Sequence, residues 1–254
     1  DDLDKVSTEI PVCALRTCLH IGACNSVMLE RIRQLKDVDP EVMALVDFDN
    51  GILREDAARL YMDVLPQADD DYVKELIAIG QRDLNAAGIT CVNSDDFRAI
   101  AGVDPLHLVE LFREAEAEGK LTVRVYEQCL TYADEFEKLL AARGDPNDRE
   151  SFFRIGPRKL LQDGSLGAKS AEMIDGYVDE RDNHGIPIYT EEELCHRIQT
   201  AHDVHMDVAV HAIGDLALKK VCDAMEQAEK ANPWPDHRHG IVHAQTTTPA
   251  LLER

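Results

Sequence analysis

The chain of 254 residues carries 49 acidic and 27 basic residues, which give a formal net charge of −22 at pH 7. An acidic surface of this kind opposes binding to nucleic acid or to anionic lipid, because both partners are negatively charged. The hydrophobic content of 44% is typical of a globular protein, and the length allows one large α/β domain or two small ones. No apolar run approaches the roughly 18 residues of a membrane span.

The seven cysteines contain no CxxC pair, and several lie in apolar helix or strand patterns. Such positions are typical of reduced core cysteines, not of a disulfide framework or a zinc–thiolate site. The sequence starts Asp-Asp-Leu-Asp, which does not resemble a signal peptide. These observations predict a cytoplasmic protein.

In chain order, the first 87 residues are irregular, and their apolar periodicity predicts mostly helices with one strand at 12–16. The helices of this segment are predicted at 26–36, 55–62 and 70–87. From Gly88 onward, strands are predicted at 88–93, 121–126, 158–162, 206–211 and 239–244, and helices at 105–117, 132–142, 191–203, 215–230 and from 248. Strands that alternate with helices predict a parallel sheet with right-handed crossovers. We therefore expect a mostly helical segment, residues 1–87, that packs on a β/α portion, residues 88–254.

The connection between residues 163 and 189 is too long for a simple turn and contains four glycines. It leaves the carboxyl end of a predicted strand, where α/β proteins place their ligand sites, and we interpret it as a functional loop or lid. A phosphate-handling role for the turn at 163–167 is an alternative, but its glycine spacing fits neither a P-loop nor a dinucleotide fingerprint.

Two histidines follow short apolar runs: His211 in the segment 208–215 (VAVHAIGD) and His243 in the segment 239–245 (HGIVHAQ). In a parallel α/β protein these imidazoles lie at neighbouring carboxyl ends of strands, where they can share a metal ion. His237 and His239 precede a strand and are expected at the opposite end. The histidines on and just after the predicted helix 191–203 are interpreted as surface or helix-end residues. Asp215 is interpreted as a helix N-cap.

Lys159 lies in an apolar strand just before the glycine-bearing connection. Two interpretations remain open from the pattern alone. The lysine can reach solvent with its charged end. Alternatively, a buried and uncharged amine can add CO2, which turns a cation into a carboxylate able to bridge two metal ions.

Several segments together resemble the metal-dependent amidohydrolases of the YtcJ-like, amidohydrolase-3 branch. They are residues 159–171 (KLLQDGSLGAKSA), 211–215 (HAIGD) and 239–245, preceded in the same order by residues 3–7, His20 with 25–26, 51–55 and 88–90. The resemblance spans nearly the whole chain. It implies a (β/α)8 (TIM) barrel, of which this sequence would provide a partial barrel with parallel strands two to six. Residues 1–87 would then form the insertion that precedes strand two.

The resemblance also implies a metal site. Lys159, carboxylated, would be the ligand on barrel strand four, and His211 and His243 the ligands on strands five and six. The cofactor would be one or two divalent ions, taken to be zinc. The HxH pair of strand one and the general-base aspartate of strand eight have no counterpart, so that no catalytic residue is assigned within this sequence.

Three further residues, Asp163, Asp215 and His20, are assigned to the substrate or to the surroundings of the ligands. Lys169 stands where the family commonly has arginine. The reaction implied by the resemblance is hydrolysis of an amide or cyclic amide bond of a small-molecule substrate by a metal-bound hydroxide. This sequence would be an inactive internal fragment of such an enzyme.

A competing interpretation is a binding or scaffolding α/β module without catalysis, which predicts no metal even in a longer version of the protein. An open five-stranded part of a barrel exposes two sheet edges, and such edges recruit partners. We therefore expect homo-oligomers formed through these edges, or an edge covered by residues 1–87.

Overall fold

The computed structural model describes residues 2–17, 19–145 and 148–254. Four short strands near the N-terminus form an antiparallel sheet: β1 (Cys13–Leu15), β2 (Ile21–Cys24), β3 (Val46–Asp47) and β4 (Ile52–Arg54). Their order is β1-β2-β4-β3. The helices of this part are α1 (Ser26–Arg33), α2 (Pro40–Met43), α3 (Tyr61–Val64) and α4 (Asp70–Ala86), with a 3-10 turn at Glu55–Arg59.

The expectation of a mostly helical N-terminal segment included β1 within the strand predicted at 12–16, but it missed β2, β3 and β4 and therefore this sheet. Its strands are two to four residues long, which is too short for an alternation of apolar and polar residues to be recognised. The two longer helices agree with the prediction, and each has a side-chain cap. Asn25 accepts a hydrogen bond from the backbone N–H of Met28 at the start of α1, and Asp69 accepts one from Tyr72 at the start of α4.

The second sheet contains five parallel strands that curl into half a barrel and follow the chain order. They are β5 (Cys91–Ser94), β6 (Arg124–Leu130), β7 (Phe153–Leu161), β8 (Val208–Ala212) and β9 (Gly240–His243). The helices between them are α5 (Pro105–Ala117), α6 (Ala133–Ala142), α7 (Glu191–Asp203) and α8 (Asp215–Ala231), and α9 (Pro249–Glu253) follows β9. The alternation of strands and helices is the predicted one, and the sheet agrees with a partial TIM-like barrel.

The sheet has a helix-facing side and an opposite, inner side. Leu160 and Val210, which are neighbours in the β7–β8 ladder, are fully buried in the core together with residues of α5, α7 and α8. Lys159 pairs with Ala209 in the same ladder, and His211 follows Ala209 by two residues. Since side chains alternate along a strand, Lys159 and His211 share the inner side, away from the helices.

The connection from β7 to α7 occupies residues 162–190, all of which the structure describes, and its secondary structure consists of one isolated bridge between Tyr177 and Glu180. Thr190 ends it as the N-cap of α7, in a capping box with Glu193. None of the helices in the described part of the chain combines the length and the apolarity that crossing a bilayer requires.

Candidate metal centre

Lys159 is buried on the inner side of β7, with 5% of its surface exposed. Its Nζ lies 2.6 Å from Oδ2 of Asp95, which follows the end of β5. The ion pair therefore connects the carboxyl ends of β5 and β7 across the intervening strand. The structure places the amine against a carboxylate and not in open solvent.

His211, near the end of β8, is also buried. Its Nε2 lies 3.0 Å from the carbonyl oxygen of Gly164 and 3.5 Å from Oδ1 of Asp163. Because a carbonyl oxygen can only accept a hydrogen bond, we assign the ring proton to Nε2, which leaves the lone pair of Nδ1 unprotonated. Burial lowers the pKa of His211 to about 4. The imidazole is therefore neutral at pH 7, the state that a metal ligand requires.

His243, the last residue of β9, lies beside His211 with 4.6 Å between the ring centroids. Its ladder partner is Ala212, so a regular strand would direct His243 to the side opposite His211. The backbone is not regular there: φ is 76° at His243 and 46° at Ala244, both in the left-handed region. This turn accompanies the approach of the two rings, and strained backbone of this kind concentrates at functional sites. Burial, and secondly the charge of Lys159, lower the pKa of His243.

Asp163 binds three segments together directly behind His211. Its carboxylate is 1% exposed and accepts hydrogen bonds from the backbone N–H groups of Glu172, Ile213 and Gly214, at 2.9, 3.0 and 2.8 Å. Burial raises the pKa of Asp163, although the three hydrogen bonds oppose this effect. The residue thus joins the end of β7, the long connection and the start of α8, and its role near the ligands stays a prediction.

His20 reaches the same region from the hairpin of β1 and β2. Its ring centroid is 6.3 Å from that of His211, and its Nδ1 lies 2.7 Å from Oε2 of Glu55. Burial disfavours ionisation of Glu55, but hydrogen bonds from His20 and Ser170 outweigh it and hold the pKa of this carboxyl below its ordinary range. The same hairpin also contacts the long connection, because Arg16 Nη1 donates to the carbonyl of Gly167 at 2.9 Å.

Asp215 differs from its prediction. The N-cap of α8 is Gly214, and Asp215 is the first helical residue, with Oδ1 accepting a hydrogen bond from the N–H of Ile174 at 2.9 Å. The N-cap interpretation is wrong because the buried turn before the helix is already held by Asp163.

Lys169 forms ion pairs with Asp179 and Glu180 at 2.6 and 2.5 Å, within the long connection.

Two N–H groups of the turn at 163–167, and that of Ala168 just after it, donate within the long connection. Gly164 donates to the carbonyl of Ser170, Ser165 donates to the hydroxyl of Ser170, and Ala168 donates to the hydroxyl of Ser165. An anion-binding loop needs such groups directed outward. The hydrogen bonding therefore disfavours the phosphate-handling alternative.

His237 and His239 lie at the amino ends of the strands, as expected. His239 accepts a hydrogen bond from Val208 N at Nδ1 and contacts Nδ1 of His202 through Nε2 at 2.9 Å. His202 in turn contacts the carbonyl of Asn232 at 2.6 Å. His202 lies in the last turn of α7, as the helix-end interpretation expected, but it is fully buried and does not face solvent. Burial lowers the pKa of His239 to about 4.

Two carboxylate contacts were not predicted from the sequence. One is the Asp95 partner of Lys159, for which the acidic pair at 95–96 just after a predicted strand was an available signal. The other is Glu127 on β6, which is fully buried and accepts a hydrogen bond from Asp96 N at 2.7 Å. The strand was predicted to end at residue 126, so that Glu127 fell just outside it.

The donor set is only partly suited to a metal ion. His211 and His243 provide two adjacent neutral imidazoles. Lys159 approaches the same carboxyl end of the sheet with a charged amine. Within residues 2–17, 19–145 and 148–254, no group of three or more His, Cys, Asp or Glu side chains is arranged to hold a metal ion. The ligand roles of the three residues remain predictions.

Comparison with known proteins provides an independent observation. The sequence matches the model described as "Amidohydrolase family" over residues 1–254. The chain belongs to the amidohydrolase family. It is similar to the YtcJ protein of Bacillus subtilis (strain 168), which is named as an amidohydrolase, with 30% identity over 264 residues covering 100% of this chain and 47% of that relative. It is also similar to N-substituted formamide deformylase of Arthrobacter pascens, with 25% identity, covering 90% of this chain and 43% of that relative.

Two solved structures share the fold. They are described as uncharacterized metal-dependent hydrolases from Pyrococcus horikoshii OT3 and Pyrococcus furiosus, with TM-scores of 0.69 and 0.69 and identities of 26% and 29%. They cover 96% and 99% of this chain, which covers 46% and 49% of theirs. The chain thus spans about half the length of these relatives. The resemblance to the YtcJ-like, amidohydrolase-3 branch is confirmed.

Proposed function

We propose that the protein containing this sequence is a metal-dependent hydrolase that cleaves the C–N bond of an amide or cyclic amide in a small-molecule substrate. The observation that carries the proposal is the pair of neutral imidazoles, His211 and His243, in contact at the carboxyl ends of two parallel strands. Family membership and the metal-dependent neighbours support the class of reaction. The named formamide deformylase supports an amide as the substrate.

His211 is the best-prepared ligand. Imidazoles that bind metals donate their second ring N–H to a carbonyl or carboxylate, which fixes the orientation of the ring. His211 makes this contact with Gly164 O, and Asp163 lies behind it. We propose that His211 Nδ1 and the His243 ring hold the ion, and that the ion is zinc because imidazole and carboxylate donors suit it.

Lys159 would contribute an oxygen ligand after adding CO2. In the structure its amine is engaged by Asp95, whose side chain is 40% exposed. Carboxylation requires the uncharged amine, so we propose that Asp95 moves toward solvent when Lys159 is modified. A metal bound here would supply a hydroxide near neutral pH and polarise the carbonyl of the substrate.

The other residues of this chain bind and orient. Asp163 fixes the segments behind His211. His20, which is held by Glu55, lies beside His211, and we propose that it contacts the substrate there. We assign no general base within this sequence. We further propose that these 254 residues alone do not turn over amides, since the described residues provide no group of three metal-binding His, Cys, Asp or Glu side chains.

A titration of the purified chain with Zn²⁺ or Co²⁺, followed by calorimetry and by cobalt absorption, tests the ligands. We expect weak binding that is lost in His211→Ala and in His243→Ala. His196→Ala, which changes an exposed histidine on α7, is the matched control and should bind as the parent does. Retention of binding in both ligand variants, or equal loss in the control, would refute the assignment.

The longer protein tests the reaction. We expect release of amine from N-formyl compounds, linear amides or cyclic amides that stops when a chelator removes the metal and returns with zinc. Lys159→Ala should lose activity and regain part of it when a short carboxylic acid is added, because the acid replaces the missing oxygen ligand. Full activity of the chelated protein would exclude the proposal and favour a binding or scaffolding module.

We also propose a cytoplasmic location and self-association through the exposed edges of β5 and β9. The edge strands of an open sheet present unpaired backbone groups that recruit a second copy. Size-exclusion chromatography with light scattering measures this directly, and a monomer at micromolar concentration would contradict the second proposal.

A further inference from the structure

Cys13 and Cys24 face each other across the antiparallel strands β1 and β2. The ladder hydrogen bonds on either side run from Asn25 N to Val12 O, at 3.0 Å, and from Arg16 N to Ile21 O, at 2.9 Å. Because hydrogen-bonded and non-hydrogen-bonded pairs alternate along an antiparallel ladder, Cys13 and Cys24 form a non-hydrogen-bonded pair. Pairs of this type bring their Cα atoms to about 4.5 Å, the closer of the two antiparallel spacings. This spacing lies within the range in which a disulfide can form, at its short end.

The two side chains lie on the same side of the sheet, because residues directly opposite each other in an antiparallel ladder point the same way. Cys24 is buried in the small N-terminal core, whereas Cys13 is only half-buried. The neighbouring Cys24 thiol lowers the pKa of the Cys13 thiol. The Cys13 thiol is therefore accessible to an oxidant in solution and more easily ionised, and the Cys24 thiol lies directly opposite it on the neighbouring strand.

We propose that Cys13 and Cys24 form a reversible disulfide when the protein meets a disulfide oxidant such as oxidised glutathione. The Cys13 thiolate attacks one sulfur of the oxidant, forms a mixed disulfide and releases one thiolate. Cys24, after losing its proton, attacks the Cys13 sulfur and releases the second thiolate. In total, two protein thiols become one disulfide, two electrons pass to the oxidant, and the two protons end on two molecules of released thiol.

The modification closes the open end of the hairpin whose other end contacts the candidate metal centre. Between β1 and β2, Arg16 holds the carbonyl of Gly167 and His20 pairs with Glu55 beside His211. A covalent link at 13/24 restricts separation of the two strands and so keeps this contact segment in place. The thiol pair would form this disulfide whether or not the protein is a hydrolase.

The test is a titration of the native chain with oxidised and reduced glutathione, trapping of free thiols by alkylation, and tryptic mass spectrometry. Trypsin separates residues 6–16, which contain Cys13, from residues 17–31, which contain Cys18 and Cys24. We expect the two peptides to become linked with a loss of about 2 Da, and fragment ions to assign the bond to Cys24. Addition of dithiothreitol should reverse the link.

Cys91, which is exposed on β5, serves as the control, because Cys91→Ser should leave the link unchanged while Cys13→Ser and Cys24→Ser abolish it. The unmodified chain carries the main result, so poor folding of a variant does not decide the outcome. Linkage of Cys13 to Cys18, persistence of glutathione on Cys13, or oxidation of the pair only under conditions that also cross-link Cys91 would overturn the proposal.

Discussion

Glu127 permits a quantitative prediction about pH and stability. The carboxyl is fully buried on β6 and accepts a hydrogen bond from Asp96 N, which holds the connection carrying Asp95, the partner of Lys159. Burial, assisted by the charge of Asp96, raises the pKa of Glu127 to about 8, against 4.5 for an ordinary glutamate. The folded protein therefore keeps a proton on Glu127 over a pH range in which the unfolded chain has lost it.

The sign and size follow from proton linkage. A group whose pKa is raised by folding stabilises the fold fully below pH 4.5, and this contribution is lost as the pH rises toward 8. Each pH unit inside this window corresponds to roughly 1.4 kcal/mol. From pH 5 to pH 7.5, Glu127 should thus lower the free energy of unfolding by roughly 3 kcal/mol. Glu127→Gln removes the titration while keeping an oxygen that accepts the Asp96 hydrogen bond.

Urea denaturation followed by circular dichroism at several pH values measures the difference between Glu127→Gln and the parent. We expect this difference to grow by roughly 3 kcal/mol in favour of the variant from pH 5 to pH 7.5. His211 and His239, with pKa values of about 4, produce an opposite slope below pH 6.5 in both proteins, so their effect cancels. Glu137→Gln, on the exposed side of α6, should show no trend. Parallel stability profiles for Glu127→Gln and the parent would refute the reasoning.

Three further substitutions test other parts of the structure. Asp163→Ala leaves three buried N–H groups without their acceptor and should lower the free energy of unfolding, measured in urea, by at least about 3 kcal/mol. A loss below about 1 kcal/mol would contradict the role of Asp163. His239→Leu should lower the free energy of unfolding by about 1–3 kcal/mol at pH 7, and it should reduce the loss of thermal stability between pH 6.5 and pH 4. The reason is that folding lowers the pKa of His239 to about 4, so the unfolded chain binds a proton that the fold does not, and acid therefore favours unfolding. An unchanged slope of stability against pH in this range would argue against this role of His239. Leu160→Ala should lower the free energy of unfolding in denaturant by about 2–5 kcal/mol. Val178→Ala, at a position that is 85% exposed, should change it by less than about 0.5 kcal/mol. Equal effects of the two substitutions would contradict the assignment of Leu160 to the core.

The β/α half of the fold could be predicted because its signals are local. The helix Pro105–Ala117 and the helix Glu191–Asp203 have the predicted bounds, since each begins at a proline or a capping threonine and carries a clear apolar side. The strands were displaced by a few residues. β6 begins and ends later than the prediction, and β7 begins five residues earlier, because strand ends depend on pairing with neighbours and not on the local pattern.

The site was predictable only in part. The strand-end positions of His211 and His243 follow from short apolar runs, and the structure brings their rings together. The ion pair of Lys159 with Asp95 joins residues 64 positions apart, and the hydrogen bond of His211 reaches Gly164 across the sheet. Such contacts depend on the curl of the sheet and the course of a long connection, which a local pattern does not specify.

The two consecutive left-handed residues at the end of β9 have a consequence for protein design. The ring of His243 owes its direction to backbone torsions, φ of 76° followed by 46°, and not to the pleat of the strand. Transplanting the His-Ala dipeptide onto the end of another parallel strand would therefore send the imidazole to the wrong side. A faithful graft must reproduce those torsions, which is easier with a residue at the second position that tolerates positive φ, such as glycine or asparagine.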